Sequence, residues 1–135
     1  MAVAPEAEAA VRRMYDAFNR RDIHTALQAA HPDVDWPNVL EGRRMVGLAD
    51  IGEYVERLFR VIDVRMDVLA ITEDDHGDVV VRVHQVARFL SDGALISDVV
   101  VEHIYRFDDG KIVTVNARDA AGRPVGPRDR LPSDV

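Results

Sequence analysis

Two strands joined by a glycine turn restrict the fold of this chain more than any other feature, and they read VVVEHIYRFDDGKIVTVNARD (residues 99–119). In the first strand one set of alternate residues is drier than the set between them, and it comprises Val99, Val101, His103, Tyr105 and Phe107. A period of two is typical of a strand with one buried and one wetter face. The pattern therefore predicts that His103 is a polar group on the drier face of a sheet.

The turn between these strands decides which residues face each other. A three-residue loop, Asp108-Asp109-Gly110, fits a hairpin with glycine in the left-handed conformation. It would pair Phe107 with Lys111 and His103 with Val115. The face of His103 would then also carry Val113, Ala117 and Asp119. We thus expect a histidine and a carboxylate on one apolar face.

Length and composition are those of an ordinary globular protein of one domain. Of the 135 residues 47% are hydrophobic and 30% are charged, which is enough for a core without disulfides or metals. The formal net charge of −7 argues against nucleic-acid binding, which depends on Lys and Arg to neutralise phosphates. The sequence shows no apolar run of membrane-spanning length and no signal-peptide layout, so we expect a cytoplasmic protein without membrane contact.

Three helices are predicted before the first long strand. The first spans residues 5–19, with a proline and two acidic residues at its positive end. The second is short, spans residues 22–30 with Asp22 as its N-cap, and ends before a His-Pro pair. The third spans residues 50–59 with Asp50 as its N-cap. Helices followed by strands are typical of an α+β fold.

The remaining segments are predicted as strands, a loop and a tail. Residues 33–38 are expected to form an edge strand because Pro37 would interrupt a central ladder, and residues 42–47 are expected to form a loop. The long strands are predicted at residues 61–72, 78–90, 94–107 and 111–119. Residues 1–120 should form a single domain and residues 121–135 an irregular tail.

Near its start the sequence reads VRRMYDAFNRRDIHTALQAAHPDVDW, in its middle GLADIGEYVERLF, and near its end EHIYRFDDGKI. In this order the three segments resemble the nuclear transport factor 2-like (NTF2-like) superfamily, in its SnoaL-like branch. The resemblance implies a cone of three N-terminal helices packed on a strongly curved antiparallel sheet, with a deep pocket between them and often a homodimer through the sheet. Members include steroid isomerases, polyketide cyclases, dehydratases, epoxide hydrolases and domains without catalysis, so the fold alone selects no activity.

The resemblance also implies roles for particular positions. Tyr15 matches the helix-one tyrosine with which steroid isomerases donate a hydrogen bond to a developing oxyanion, and His103 falls where they keep a protonated acid. Their general base is an aspartate directly before a proline, and Trp36 occupies that position here. In polyketide-cyclase-like relatives an acid on the last strand acts as acid and base, and Asp119 lies near that place.

His103, Asp119 and Tyr15 are the candidate catalytic residues. A neutral imidazole exchanges protons near pH 7, and an apolar pocket raises the pKa of a carboxylate toward useful values. The alternative is a core histidine bonded to a backbone carbonyl, with a solvated aspartate at a strand end. Tyr15 is either a donor in the pocket or a core aromatic whose tip reaches the surface.

Four other residues are candidates for contact with a substrate. Trp36, the single tryptophan, is expected at the pocket mouth, with hydrophobic closure of the sheet edge as the alternative. Asn38 is placed in the loop that follows, where it could also serve only the turn. Phe18 lies on the buried stripe of the first helix. Gln85 is the fourth.

Gln85 and His84 compete for the pocket because adjacent strand residues point to opposite faces. A three-residue loop at Ser91-Asp92-Gly93 would pair Val81 with His103 and turn Gln85 inward, whereas a two-residue turn would bring in His84. We favour Gln85 because its face is the more apolar one. The outer face, a dimer surface or a solvated one, would then carry Arg82, His84, Arg88, Asp98, Glu102 and Arg106.

These features predict a protein without metal or cofactor. The five histidines show no paired short spacing, and no glycine-rich loop fits a nucleotide. We interpret the chain as a SnoaL-like protein that takes a small hydrophobic carbonyl- or hydroxyl-bearing molecule and acts on it as an isomerase, cyclase or dehydratase by general acid/base chemistry. The alternative is a non-catalytic module that binds a ligand in the pocket or a partner on the outer sheet. A pocket filled by Phe18, Tyr15 and Leu58 would favour binding through the outer surface.

Overall fold

Three helices precede the four long strands of residues 62–119, as the sequence pattern predicts, and a further nine-residue strand lies between the second and third helices. The computed structural model describes residues 3–38 and 42–125, so residues 126–135 of the predicted tail lie outside the described residues. The helices are α1 (Pro5–Asn19), α2 (Ile23–Ala26) and α3 (Leu48–Phe59), with a 3-10 turn at Leu27–Ala29. The strands are β1 (Ala30–Asn38), β2 (Arg43–Val46), β3 (Ile62–Glu73), β4 (Val79–Phe89), β5 (Leu95–Asp108), β6 (Lys111–Asp119) and β7 (Pro124–Val125).

The strands form one sheet in the order β2-β1-β6-β5-β4-β3, and β7 pairs with β6. All pairs are antiparallel except β1 with β6. Irregular steps interrupt the register between β1 and β6, β3 and β4, β4 and β5, and β5 and β6. Because such bulges bend strands and increase their twist, the sheet curves around the helices. This architecture confirms the predicted α+β fold.

The helices pack on one face of this sheet, and the core lies between them. α1 contacts β3, and α3 contacts β1, β2 and β3. The core includes Val11, Met14, Val34, Met45, Ile51, Val81, Val83, Val101, Ile112 and Val115. None of the described helices is long and apolar enough to cross a membrane.

Two helix boundaries differ from the predictions for local reasons. The second helix ends at Ala26 and tightens into the 3-10 turn, and the His-Pro pair lies inside β1, where proline accepts extended backbone. The third helix begins at Leu48 because Gly47, with φ of 95°, occupies the N-cap position. Asp50 therefore lies in the first turn, where its carboxylate still faces the positive end of the helix dipole.

The segment around Pro37 is not an edge strand, because β1 lies between β2 and β6 and the edge position falls to β2. Residues 43–46 are accordingly a strand and not part of a loop. The N–H of Gly47 donates to the carbonyl of Val34 at 3.0 Å, so Val34 and Gly47 form a hydrogen-bonded pair. Such pairs recur at every second residue of an antiparallel ladder, and Pro37, opposite Arg44, falls between two of them. Pro37 thus occupies a position that donates nothing to β2, and the pairing with β6 has already ended at Asp35.

Arg44 joins the three strands β2, β1 and β6. Its guanidinium donates to Asp35 Oδ1 at 2.9 Å, to the Val115 carbonyl at 2.7 Å and to Asn116 Oδ1 at 3.1 Å. The side chains of Arg44 and Asp35 are only 7% and 11% exposed. Because a buried charge without its countercharge is strongly destabilising, this ion pair fixes the position of the β1–β2 hairpin relative to β6.

Replacing Arg44 by Met should lower the free energy of unfolding by about 3–5 kcal/mol, because the carboxylate of Asp35 stays buried after its countercharge is removed. Arg43→Met is the matched control, since the Arg43 ion pair with Asp50 is exposed and such pairs contribute about 1 kcal/mol or less. Urea unfolding of both variants measures the difference. Equal, small losses would show that Arg44 does not tie the strands together.

Candidate active site

A cavity of about 360 Å³ lies between the concave face of the sheet and the three helices. Its wall is mostly aliphatic and aromatic, and its polar side chains are Tyr15, Trp36, Tyr54, Gln85, Ser97, His103 and Tyr105. Among the described residues that line it there is no Asp, Glu, Lys or Arg. The side chains of the fold therefore leave an apolar space open, and the cavity has the size and character of a small-molecule site.

The hairpin that carries His103 has the predicted face but not the predicted register. Its turn contains two residues, Asp109 and Gly110, whose φ angles of 50° and 79° suit the tight turn that an Asp-Gly pair favours. A two-residue turn alone would put the wetter set of β6 beside His103. A bulge at Val113 of β6, between the pairs of Arg106 and Phe107, restores the drier set, so His103 pairs with Ala117.

Three side chains on the cavity wall form a hydrogen-bonded group, which we call the Tyr-His-Tyr cluster. The Tyr15 hydroxyl lies 2.7 Å from His103 Nδ1 and 2.6 Å from the Tyr105 hydroxyl. Both tyrosines are buried, whereas the His103 ring is half-buried because it borders the cavity. Trp36 and Tyr105 pack edge to face, with ring centroids 6.3 Å apart. α1 and β5 thus meet through polar atoms at the wall of an apolar space.

Burial keeps every member of the cluster uncharged at neutral pH. It lowers the pKa of His103 to about 4, because the imidazolium would lose its hydration. It also raises the pKa of Tyr105, and it raises the pKa of Tyr15 well above the usual range, with the Tyr105 hydroxyl adding to the effect on Tyr15. The cluster can therefore donate and accept hydrogen bonds near pH 7 without carrying charge.

Two arrangements of protons satisfy the cluster. Since Tyr15 has one hydroxyl hydrogen and two partners, one of the partners must donate to it. Either Tyr105 donates to Tyr15 and Tyr15 to Nδ1 of His103, or Nδ1–H donates to Tyr15 and Tyr15 to Tyr105. The second ring nitrogen, Nε2, has no hydrogen-bond partner within residues 3–38 and 42–125. In the first arrangement Nε2 is a donor, and in the second it is an acceptor while Tyr105 has a free hydrogen.

The structure does not bring Asp119 to His103, so the expectation of a carboxylate in the apolar pocket is wrong. Asp119 ends β6, and its carboxylate accepts hydrogen bonds from the N–H groups of Ala121 and Arg123 and from the Arg123 guanidinium. These bonds, the Arg123 N–H first, lower the pKa of Asp119. The side chain caps the turn that leads into β7 and is not part of the described cavity wall.

Three of the four candidates for substrate contact line the cavity. These are Trp36, Phe18 and Gln85, whereas Asn38 is not part of the wall. Asn38 is not in a loop but ends β1, opposite Arg43 of β2, and its side chain is fully buried.

Gln85 faces inward, as the pairing argument predicts, because Val81 lies opposite His103. The turn itself is longer than expected, since Phe89 N–H bonds to the carbonyl of Ala94. A bulge between the pairs of Ala87 and Arg88 compensates for the longer turn, so that Val81 still pairs with His103. The β5–β6 hairpin has a bulge with the same effect.

Several residues of the cavity wall were not among the candidates from the sequence, and Tyr105, Ser97 and Val125 are three of them. Tyr105 is part of the alternating set that contains His103, so the pattern alone could have identified it. Ser97 lies on the same face of β5 but follows a bulge that the sequence does not mark. Val125 belongs to β7, where an irregular tail was predicted, and it pairs with Ala117. In the described ranges no group of three His, Asp or Glu side chains could hold a metal ion.

The desolvated histidine makes stability depend on pH. Because the pKa of His103 is about 4 in the folded chain and about 6.5 when unfolded, the unfolded chain binds more protons between these values. The free energy of unfolding should therefore fall as the pH drops from 6.5 to 4, by roughly 3 kcal/mol from this residue, and stay constant above pH 6.5. Urea unfolding of the native chain and of His103→Gln at pH 7 and pH 4.5 measures this loss.

His84→Gln is the control, because His84 is exposed on the outer face beside Asp98. An equal pH dependence in all three chains would contradict the assignment.

A conical α+β domain that encloses an apolar cavity between its helices and a curved sheet defines an NTF2-like protein. The chain belongs to the SnoaL-like domain family, which matches residues 11–115. Both conclusions confirm the resemblance seen in the sequence. Comparison with curated proteins gives no match.

Solved structures share this fold at low sequence identity. An NTF2-like protein of unknown function from Burkholderia pseudomallei is 23% identical, with 86% of this chain and 92% of that chain covered and a TM-score of 0.74. A proposed polyketide cyclase from Xanthomonas campestris is 21% identical, with coverage of 83% and 88% and a TM-score of 0.73. TerC, crystallised with polyporic acid, is 23% identical, with coverage of 86% and 92% and a TM-score of 0.69. At these identities the likeness establishes the fold alone.

Proposed function

We propose that this protein is a cofactor-independent enzyme that binds a neutral, apolar carbonyl compound and moves a proton between a carbon atom and the carbonyl oxygen. One observation carries the proposal: the Tyr-His-Tyr cluster lines an apolar cavity and leaves Nε2 of His103 without a partner in the described part of the chain. A buried acid/base group facing an open cavity is the arrangement that proton transfer to a bound molecule needs.

The cluster can act as an acid and a base in one step. In the arrangement where Nε2 is an acceptor, Nε2 takes a proton from the carbon next to the carbonyl. Nδ1 passes its proton to Tyr15, Tyr15 passes one to Tyr105, and Tyr105 delivers one to the carbonyl oxygen. The ketone becomes an enol, the cluster ends in its other arrangement, and no charge remains on the protein. The reverse transfer to a different carbon completes an isomerisation and restores the first arrangement.

Desolvation favours this neutral route over one through separated charges. The lowered pKa of His103 and the raised pKa values of the tyrosines disfavour imidazolium and phenolate in the cavity. A relay that keeps each group neutral avoids both states, and hydrogen bonds from Tyr105 stabilise negative charge that develops on oxygen. His103 would thereby take over the base role for which the steroid-isomerase pattern uses the aspartate that Trp36 replaces.

The relatives support a ring compound as the substrate class. One neighbour in fold is a proposed polyketide cyclase, and TerC was crystallised with polyporic acid. The aromatic side chains of Trp36, Phe18 and Tyr54 on the cavity wall offer flat surfaces on which rings pack.

The second candidate function is binding without catalysis. It is favoured by the absence of a carboxylate from the described cavity wall, since carboxylates are frequent general bases. Partner binding on the outer sheet face has less support, because its polar side chains pair within the chain: His84 with Asp98 at 2.6 Å and Arg118 with Glu102 at 2.7 Å. The homodimer through that face stays a prediction.

Exchange of the α-protons of 1-tetralone, a neutral bicyclic ketone, in deuterated water tests the proposed function without knowledge of the natural substrate. The native protein should accelerate the exchange followed by NMR. His103→Gln, which keeps a hydrogen-bonding side chain but no base, and Tyr105→Phe should each slow the exchange on the order of 100-fold.

His84→Gln is the matched control and should exchange like the native protein, because His84 is on the outer face. Binding of 1-tetralone without acceleration would favour the non-catalytic alternative. Acceleration that survives in His103→Gln would show that His103 is not the base.

A further inference from the structure

We infer that the cavity contains a second polar subsite, formed by Gln85 and Ser97, and that the ligand is an elongated neutral molecule with a hydrogen-bonding group at each end. The inference rests on the proposed function only for the end that reacts, which is the one at the Tyr-His-Tyr cluster. The second subsite itself follows from the geometry of β4 and β5.

Gln85 and Ser97 are neighbours on the concave face of the sheet. Gln85 lies opposite Val99, and Ser97 lies opposite Ala87, so the two are diagonal partners across an antiparallel pair. Diagonal partners are roughly 7–8 Å apart, within reach of a long side chain. Both line the cavity, and within the described chain neither side chain has a hydrogen-bond partner. An apolar cavity thus carries a second pair of groups that can donate and accept.

The second subsite is too far from the cluster to share one ligand group with it. Val99, opposite Gln85, is four residues from His103 on β5, a separation of roughly 13 Å along a strand. The register between β4 and β5 is regular from Tyr105 to Ser97, so no bulge shortens this distance. Val101 lies between the two ends and lines the cavity with an apolar side chain. A ligand that uses both subsites must be extended, with an apolar middle.

The absence of charge restricts the ligand further. No side chain of Lys or Arg is among the described residues of the wall, and the cluster itself is neutral near pH 7. A carboxylate or phosphate would lose its hydration in this cavity without gaining a cation. Gln and Ser both donate and accept, so the second end fits a hydroxyl or carbonyl group.

Three rigid probes test the subsite by calorimetry: 4-hydroxybiphenyl, 4,4′-dihydroxybiphenyl and 4′-hydroxybiphenyl-4-carboxylate. The native protein should bind the dihydroxy probe about tenfold more tightly than the monohydroxy probe, as one extra hydrogen bond in an apolar site allows. The carboxylate probe should bind most weakly. Gln85→Met should abolish the tenfold preference while leaving the affinity for 4-hydroxybiphenyl unchanged, and Ser97→Ala should reduce the preference.

Gln28→Met is the matched control, because Gln28 is exposed and outside the cavity, and it should keep the preference. Tyr15→Phe should weaken both hydroxylated probes alike, since it alters the other end. Equal affinity of the native protein for the two hydroxylated probes, binding of neither, or an equal loss for both in Gln85→Met would overturn the subsite.

The subsite and the proposed catalysis fail separately. A dihydroxy preference that depends on Gln85, in a protein that does not exchange the protons of 1-tetralone, would leave the subsite standing and remove the catalytic role of His103. Proton exchange that depends on His103, without any preference for the dihydroxy probe, would support the catalytic role of His103 and remove the subsite.

Discussion

The hydrogen bond between Tyr15 and His103 is the interaction on which the site depends. It joins α1 to the middle of β5 and, with Tyr105, satisfies Nδ1 of His103 and the two tyrosine hydroxyls, which would otherwise be costly to bury. Because Nδ1 is occupied, the proton on Nε2 is set by the arrangement of the tyrosine hydroxyls. The packing of one helix on the sheet therefore couples the proton on Nε2 to the hydroxyl hydrogens of Tyr15 and Tyr105.

The binding of a hydrophobic ligand and the neutral state of His103 both result from the apolar wall of the cavity. The apolar wall that attracts a hydrophobic ligand also withdraws water from His103, which lowers its pKa and keeps it neutral. The same desolvation lowers the free energy of unfolding at low pH, since protonation of the buried ring opposes folding. A neutral cluster suits proton transfer within an uncharged ligand and offers nothing to an anion, so the same desolvation that shapes the mechanism also selects the ligand.

Local patterns predicted the long strands and the faces of His103 and Gln85, but not the short strands β2 and β7 or the bulges in the hairpins. In both hairpins the turn differs from the predicted three-residue loop, and a bulge brings His103 and Gln85 back to the expected face. The face was predictable because the apolar alternation must be buried, whereas a bulge leaves no local signal in the sequence. Asp119 was misjudged, and the role of Arg44 was not predicted, for another reason: their partners come from a turn after β6 and from strands β1 and β6, contacts that only the tertiary structure creates.

An NMR titration of the histidine side-chain nitrogens measures the protonation state of His103 itself, with His103→Gln used to assign its signal. We expect His103 to stay neutral from pH 8 down to about pH 5 and to titrate with a pKa of about 4. We also expect Tyr15→Phe to change the Nδ1 signal at neutral pH, where the ring is uncharged. Titration of His103 near 6.5, the value of an exposed histidine, would contradict the existence of a desolvated and neutral cluster.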